Sequence, residues 1–238
     1  MATVTVVIPT YNEADNLPAL AAELLALPIP GLRILVVDDD SPDGTGKVAD
    51  DLATAHPGHV SVVHRKVREG LGRAYVQGLE TALADGADYV VQMDSDFSHP
   101  VDAVPRLFGT AEATGAACVI GSRYVSGGTL AAEWSLRRRA LSAWANFYVR
   151  TILRIRLRDV TAGFKIWRAA DLAALHLDGI ASGGYSFQVE MHYRASRAGM
   201  TIIEIPIHFS DRRAGTSKMS LRVQLESALM PWRLLFKR

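Results

Sequence analysis

The sequence predicts an α/β fold, a mostly parallel sheet with helices on both faces. Two observations carry that expectation. Through the first half of the 238-residue chain, short β-branched runs alternate with stretches of helical period, as βαβ units require. Several of these runs, VTVVI and ILVV among them, are apolar on both faces, which suits strands buried between two helix layers.

Taken in order, strands are expected at 3–8, 32–37, 60–64, 88–93 and 116–121, with helices between them at 14–26, 44–55, 70–84 and 101–114. Ligands of such sheets bind beyond the carboxyl ends of the strands. Five polar loops fall at those ends, 10–13, 38–43, 65–70, 94–99 and 122–128, so they converge on one rim. After residue 133 the pattern changes to a long helix at about 135–155, a short strand near 163–167, a helix near 184–198, a strand at about 201–209 and a last helix from about 220. No linker rich in Pro, Gly or Ser separates the halves and no repeat is visible, so 1–238 is expected to be a single domain.

Composition narrows the class. Hydrophobic residues make up 49% of the chain and charged residues 21%, ordinary for a soluble globular protein. The single cysteine, Cys118, lies in the apolar run AACVIG and is expected to be a buried, inert thiol, so no disulfide framework exists. The start, MATVTVVIPTYNE, lacks the basic and apolar regions of a signal peptide. In the arginine-rich middle the longest uncharged stretch is 140–149, far short of the roughly 20 residues that span a bilayer. The net charge of +1 hides an asymmetry: residues 1–132 hold 8 Lys/Arg against 17 Asp/Glu, a net of −9, and residues 133–238 hold 18 against 8, a net of +10. Such a chain can position a cation with one half and anions with the other.

In DDDSPDGT (38–45) the acidic spacing approaches a calcium loop. A strand precedes it where a helix is needed and Pro42 interrupts it, so calcium is not expected. Asp38 and Asp39, at a strand end, are better placed to accept hydrogen bonds from ribose hydroxyls or base N–H groups, and Asp43 to cap a helix. REGLGRAYVQG lacks the third glycine of a dinucleotide fingerprint and does not follow the first strand; GxxxxGK[ST] is absent.

In MDSDFSHP, Asp94 and Asp96 follow a strand one residue apart. Paired carboxylates suit a hard divalent ion, Mg²⁺ or Mn²⁺, which takes oxygen ligands and shares them with substrate phosphates. In the basic half, Arg138, Ser142, Asn146 and Arg150 recur every four residues as a polar helical face suited to phosphate, with Leu141, Trp144, Tyr148 and Ile152 as an apolar one. The tail, SLRVQLESALMPWRLLFKR, interleaves Arg with Leu, Met, Trp and Phe, a pattern that can lie on an anionic surface. Before it, DRRAGTSKMS carries Arg212 and Lys218 in a loop able to close over a diphosphate. There is no GxSxG, and the seven histidines make no metal-ligand spacing. A phosphate acceptor needs no such nucleophile, since its own oxygen is anionic near neutral pH.

VVIPTYNEADNLP, VVDDDSPDGT, GLGRAY, MDSDFSHP, GSRYVSGG, RRRALSAWAN, DVTAGFK and GGYSFQVEM, in that order, resemble the family 2 glycosyltransferases of the GT-A fold, and among them the polyprenol (dolichol) monophosphate mannose synthases. The resemblance runs from about residue 3 to 220. It implies inverting transfer of mannose from GDP-mannose to a polyprenyl monophosphate at the cytoplasmic face of a membrane. It assigns Pro9, Tyr11, Glu13 and Asp39 to the nucleoside site, with Ser95 beside the donor, and Asp94 and Asp96 to a divalent metal, Mg²⁺ or Mn²⁺, on the diphosphate. Ser98 stands where some relatives carry Gln, the position of a third metal contact. Arg123, Arg138 and Ser142 would receive the lipid phosphate, and Arg212 and Lys218 would cover the donor. On this reading 1–132 is the nucleotide-sugar and metal half, and 133–238 faces acceptor and membrane. Many relatives continue into transmembrane helices, so this chain is expected to bind a membrane peripherally or through a membrane protein partner, and no nucleic acid. The rivals are another donor such as UDP-glucose, a sugar-nucleotide pyrophosphorylase and a lipid-binding scaffold. The second lacks its basic glycine-rich loop, since PTYNEADN stands there instead.

Overall fold

The computed structural model describes residues 1–180, 182, 184, 186–212 and 221–236, the last helix by its side chains from 228 onward. The first half runs β1 (Val4–Thr10), α1 (Leu17–Leu25), β2 (Leu32–Asp38), α2 (Thr45–Ala55), β3 (Val60–His64), α3 (Leu71–Ala84), β4 (Tyr89–Gln92), α4 (Val104–Thr114) and β5 (Cys118–Ser122). The second adds β6 (Thr129–Leu130), α5 (Leu136–Leu153), β7 (Lys165–Arg168), α6 (Ala169–Ala173), α7 (Ser186–Arg197), β8 (Ile202–Pro206), β9 (His208–Phe209) and α8 (Leu221–Phe236). Every expected element but the strand at 201–209 is present as expected, with its ends moved by a few residues at most.

Seven strands form one sheet in the order β3-β2-β1-β4-β7-β5-β8. All neighbouring pairs are parallel except those of β7, which runs antiparallel between β4 and β5. Successive strand residues point to opposite faces, and the core divides accordingly. Leu35, Val37 and Ile120 pack with α3, α5, α7 and α8 on one face, whereas Ile34, Val36 and Val119 pack with α1, α2 and α4 on the other. A Cβ at Gly78 would meet Val7 Cγ1 at 2.4 Å, so glycine there lets α3 lie close on the sheet.

The expected strand at 201–209 is two. Its first part, β8, ends at Pro206, and β9 turns away to pair with β6 in a separate ribbon. The turn is stapled back by the Ile207 N–H donating to Ser122 O at 3.1 Å. The pattern of α5 left its orientation open. Its buried residues are Asn146, Val149 and Leu153, so the Asn146 part of the polar face points inward. Trp144 and Phe147 face out at 57% and 66% exposure, because the inner face of α5 must meet polar groups of the rim.

Candidate active site

β1 has β2 on one side and β4 on the other: the chain winds outward from β1 through β2 to β3, and then crosses back by α3 to β4. The crevice beyond such a switch point is where α/β sheets bind ligands. Among the described residues, three of the five non-glycine residues with positive φ sit around it: Asn12 after β1, Asp40 after β2 and Phe97 after β4. For a bulky residue this conformation is strained, and strain of this kind collects at functional loops.

Phe97 at φ 62° folds the 94–99 loop back on itself. Asp96 Oδ1 then accepts the Ser98 N–H at 3.0 Å, and the Asp94 N–H donates to His99 Nδ1 at 3.0 Å. Asp94 is half-buried, and its Oδ1 accepts from the Tyr75 hydroxyl at 2.8 Å. Burial beside Asp94 raises Tyr75 well above the usual phenol range and keeps it a donor. Burial likewise lowers His99, against the pull of Asp94 and Asp96, and keeps that ring neutral.

The loop after β1 meets this one. Glu13 accepts from Asn16 Nδ2 at 2.8 Å and hydrogen-bonds Ser95. Burial, then Asp96, raises its carboxyl, and Arg212 opposes the shift. Arg212 Nε lies 3.0 Å from Asp96 Oδ2. The neighbouring Asp211 takes Arg138 Nη1 at 3.3 Å, so the basic helix is tied to the acidic rim through two adjacent residues. Tyr11 lies under the Arg68 guanidinium, 3.7 Å from ring centroid to Cζ. Pro9 sits near the end of β1, where pairing with β4 has ended at Val7, so its missing N–H breaks no bond to β4.

Two acidic residues carry contacts within the chain. Asp38 accepts from the Thr10 hydroxyl and from both the N–H and hydroxyl of Ser41, at 2.6–3.1 Å, so its carboxylate shapes the loop. Asp39 is paired with buried Arg65; burial lifts its carboxyl while Arg65 holds it back. Asp43 accepts from Thr45 N–H and hydroxyl and from Ala14 N–H; the N-cap of α2 is Gly44, so Asp43 binds the first helical N–H from one residue outside the cap position expected of it. Lys218 lies outside the described residues.

Arg123 is more committed than expected. Its Nε and Nη2 donate to Asp159, both at 2.7 Å, Nη2 also reaches Thr161 Oγ1 at 2.8 Å, and its backbone N–H donates to the same carboxylate at 2.9 Å. Among these bonds Nη1 takes no part. Asn146 of α5 donates to Thr161 Oγ1 at 3.1 Å, and the Tyr124 hydroxyl donates to Ser142 Oγ at 2.7 Å, which locks α5 to this wall. Asp159, Thr161, Tyr124 and Tyr75 were not singled out by sequence reasoning. DVTAGFK displayed two of them, but nothing in their spacing says that they meet a residue 36 positions earlier.

Among the described residues no group of three or more His, Cys, Asp or Glu gathers as a metal site. The donor set is two carboxylates one residue apart, with Tyr75 on a single oxygen of Asp94. Such a pair fits Mg²⁺ or Mn²⁺ completed by water and substrate phosphate, and not a metal that needs an all-protein cage.

A model of the family "Glycosyl transferase family 2" matches residues 5–174, which includes both rim loops and the Arg123–Asp159 pair. The chain is a family 2 glycosyltransferase. A polyprenol monophosphomannose synthase of Mycolicibacterium smegmatis is 45% identical to this glycosyltransferase over 215 residues, 90% of the chain and 80% of the relative. An undecaprenyl-phosphate mannosyltransferase of Micrococcus luteus is 45% identical over 217 residues, 91% and 87% of the two. Among solved structures, glucosyl-3-phosphoglycerate synthase of Mycobacterium tuberculosis, in complex with Mn²⁺, UDP-glucose and phosphoglyceric acid, superposes with a TM-score of 0.68 at 22% identity. That match covers 97% of this chain and 79% of the other, a likeness of fold. No helix among the described residues is long and apolar enough to cross a membrane.

Proposed function

We propose that this glycosyltransferase transfers mannose from GDP-mannose to the phosphate of a polyprenyl monophosphate, with inversion at the anomeric carbon, and that 1–238 acts as one catalytic unit. The 45% identity to two enzymes named for polyprenol and undecaprenyl phosphate mannosylation supports the lipid acceptor and the sugar. The observation that carries the reading is the pair Asp96–Arg212 and Asp211–Arg138, which brings an acidic rim suited to a metal diphosphate against a basic helix with an apolar outer face.

In this reading Pro9, Tyr11, Glu13 and Asp39 line the nucleoside pocket, with Ser95 beside the donor, and Asp94 and Asp96 hold Mg²⁺ or Mn²⁺. Ser98 contributes through its N–H, which orients Asp96. When bound, the metal supplies positive charge to the departing diphosphate. Arg212, released from Asp96, and Lys218 add charge to the same leaving group. Arg138, Ser142 and the Nη1 edge of Arg123 receive the acceptor phosphate behind the anomeric carbon. A phosphate oxygen forms the new bond to that carbon while the bond to the GDP β-phosphate oxygen breaks, its electron pair leaving with GDP. No protein base is required, and positioning provides much of the rate.

The acceptor places the enzyme on a membrane. Trp144, Phe147 and Leu141 of α5 stand exposed beside Leu229, Trp232 and Phe236 of α8. The Tyr148 hydroxyl joins the two helices, donating to Ala228 O at 2.8 Å and accepting from Trp232 Nε1 at 2.9 Å. This apolar ridge with arginines around it supports peripheral docking on the cytoplasmic face.

The test is transfer of radiolabelled sugar into organic-extractable lipid, with polyprenyl phosphate and with Mg²⁺ or Mn²⁺ present or omitted. Metal-dependent label from GDP-mannose is expected, and Asp94→Ala should lower it about 100-fold or more, as loss of charge stabilisation at a leaving group does. Label from UDP-glucose instead would move the donor, and label without metal would remove the role of the carboxylates.

A further inference from the structure

Asp94 is gripped at two points by residues of its own chain. Tyr75 holds its carboxylate, and His99 Nδ1 accepts its peptide N–H at 3.0 Å. A ring nitrogen can accept only with its lone pair free, so the proton of the neutral ring sits on Nε2. The ring itself is fixed. It is 3% exposed, stacks on Phe164 with centroids 5.1 Å apart at 14°, and meets Phe209 edge-on at 5.7 Å. Its Cε1 edge lies toward Gly163, where a Cβ would come within 3.4 Å.

Phe209 also faces the other wall. The Arg123 guanidinium lies over it at 5.3 Å, and the next residue, Ser210, donates its N–H to Ser98 O at 3.1 Å. His99 therefore stands where the carboxylate loop, the Arg123 wall and the strand leading to Arg212 meet. Arg123 is held by Asp159 and Arg138 by Asp211, and the peptide from which Asp94 projects is held by His99.

We propose that His99 is a positioning residue: its Nδ1, as hydrogen-bond acceptor, fixes the peptide from which the Asp94 carboxylate projects. The inference rests on the proposed mannosyl transfer for its choice of substrates, though not for its geometry. A carboxylate displaced by about 1 Å at such a site costs up to about 100-fold in rate.

Two variants separate positioning from packing. His99→Asn keeps an acceptor atom close to the place of Nδ1 but loses the ring, whereas His99→Phe keeps the ring and loses the acceptor. In the full chain, His99→Asn is expected to retain kcat within about fivefold, while His99→Phe lowers it about 30-fold and weakens Mn²⁺ binding about tenfold. Mn²⁺ binding is read by electron paramagnetic resonance with GDP present, and the KM for polyprenyl phosphate should stay within about twofold of the native value in both. The reverse order, His99→Phe near native and His99→Asn damaged, would mean packing alone and overturn the proposal, as would equal loss in both. Long-range ¹H–¹⁵N correlation on the unsubstituted protein gives a readout free of substrate: Nδ1 should appear unprotonated at neutral pH, and an Nδ1–H ring or an imidazolium would also overturn it. If the native chain transfers nothing from GDP-mannose while Nδ1 is unprotonated and His99→Phe still weakens Mn²⁺ binding, the substrate reading fails and the role of His99 stands.

Discussion

Lys165 sits in an environment far from its ordinary one. It is fully buried in β7, donates to Gln188 Oε1 and His192 Nε2, both at 2.7 Å, and the His192 Nδ1–H donates to Val160 O at 2.8 Å. Burial lowers its pKa from 10.5 to about 7. Below about pH 7 the folded and unfolded chains both hold this proton, and the folded state carries the full cost of a buried ammonium. Between about 7 and 10.5 the unfolded chain binds the proton and the folded chain does not, so this group's contribution to stability rises with pH by a few kcal/mol. Lys165→Met removes that dependence, so the Tm of the native chain minus that of the variant is expected to grow from pH 6 to pH 9; a constant difference would rule out a depressed lysine. Sequence could not mark this residue, because its depressed pKa depends on α7, some twenty residues away. Asp94 and Asp96 were legible because their geometry is local to one strand end. Arg123 was legible as a site residue while its partner Asp159 was not, for the same reason of distance along the chain.

At the scale of elements, α5 decides where the acceptor can come from. Its inward face carries Ser142 and Asn146 to the Arg123 wall, and its outward face, with α8, is an apolar ridge in which Trp144 stacks on Tyr148 at 5.2 Å. Trp144→Glu with Phe147→Glu puts two carboxylates into that ridge. The expected result is a fall of about tenfold or more in the ratio of turnover on vesicle-embedded polyprenyl phosphate to turnover on a short, soluble analogue, since each large apolar side chain is worth about 2 kcal/mol of burial. An unchanged ratio would place the membrane elsewhere. The extent of α5 was readable from its period, because Ser135 caps it and Arg154 ends it in the left-handed region. Its orientation was not, since an amphipathic pattern names two faces without saying which meets protein. In the same way the strands were legible, yet the antiparallel insertion of β7 and the turn of β9 into a second ribbon were not. Both depend on pairing partners far away in sequence.

The whole molecule is electrically divided, −9 in residues 1–132 and +10 in residues 133–238, although both halves contribute strands to the same sheet. The division is not undone by folding. Arg137, Arg154, Arg156, Arg158 and Arg233 are all exposed, whereas Asp38, Asp39 and Asp96 are buried at the rim. A body of this kind, approaching an anionic bilayer, is turned by the field before any contact forms, basic half first. That orientation would present the α5–α8 ridge to the lipid and leave the acidic rim open to the nucleotide. Each basic residue near an anionic surface contributes about 1 kcal/mol, and at 0.1 M salt the field reaches only about 10 Å. Binding to vesicles containing phosphatidylglycerol is therefore expected to weaken by about tenfold or more between 50 and 300 mM NaCl, while a remainder persists because apolar burial is not screened. Sedimentation of the full chain with such vesicles, against neutral vesicles as control, reads both parts. Equal binding to the two lipids at all salt concentrations would leave the ridge as the sole anchor and remove the basic half from the membrane contact.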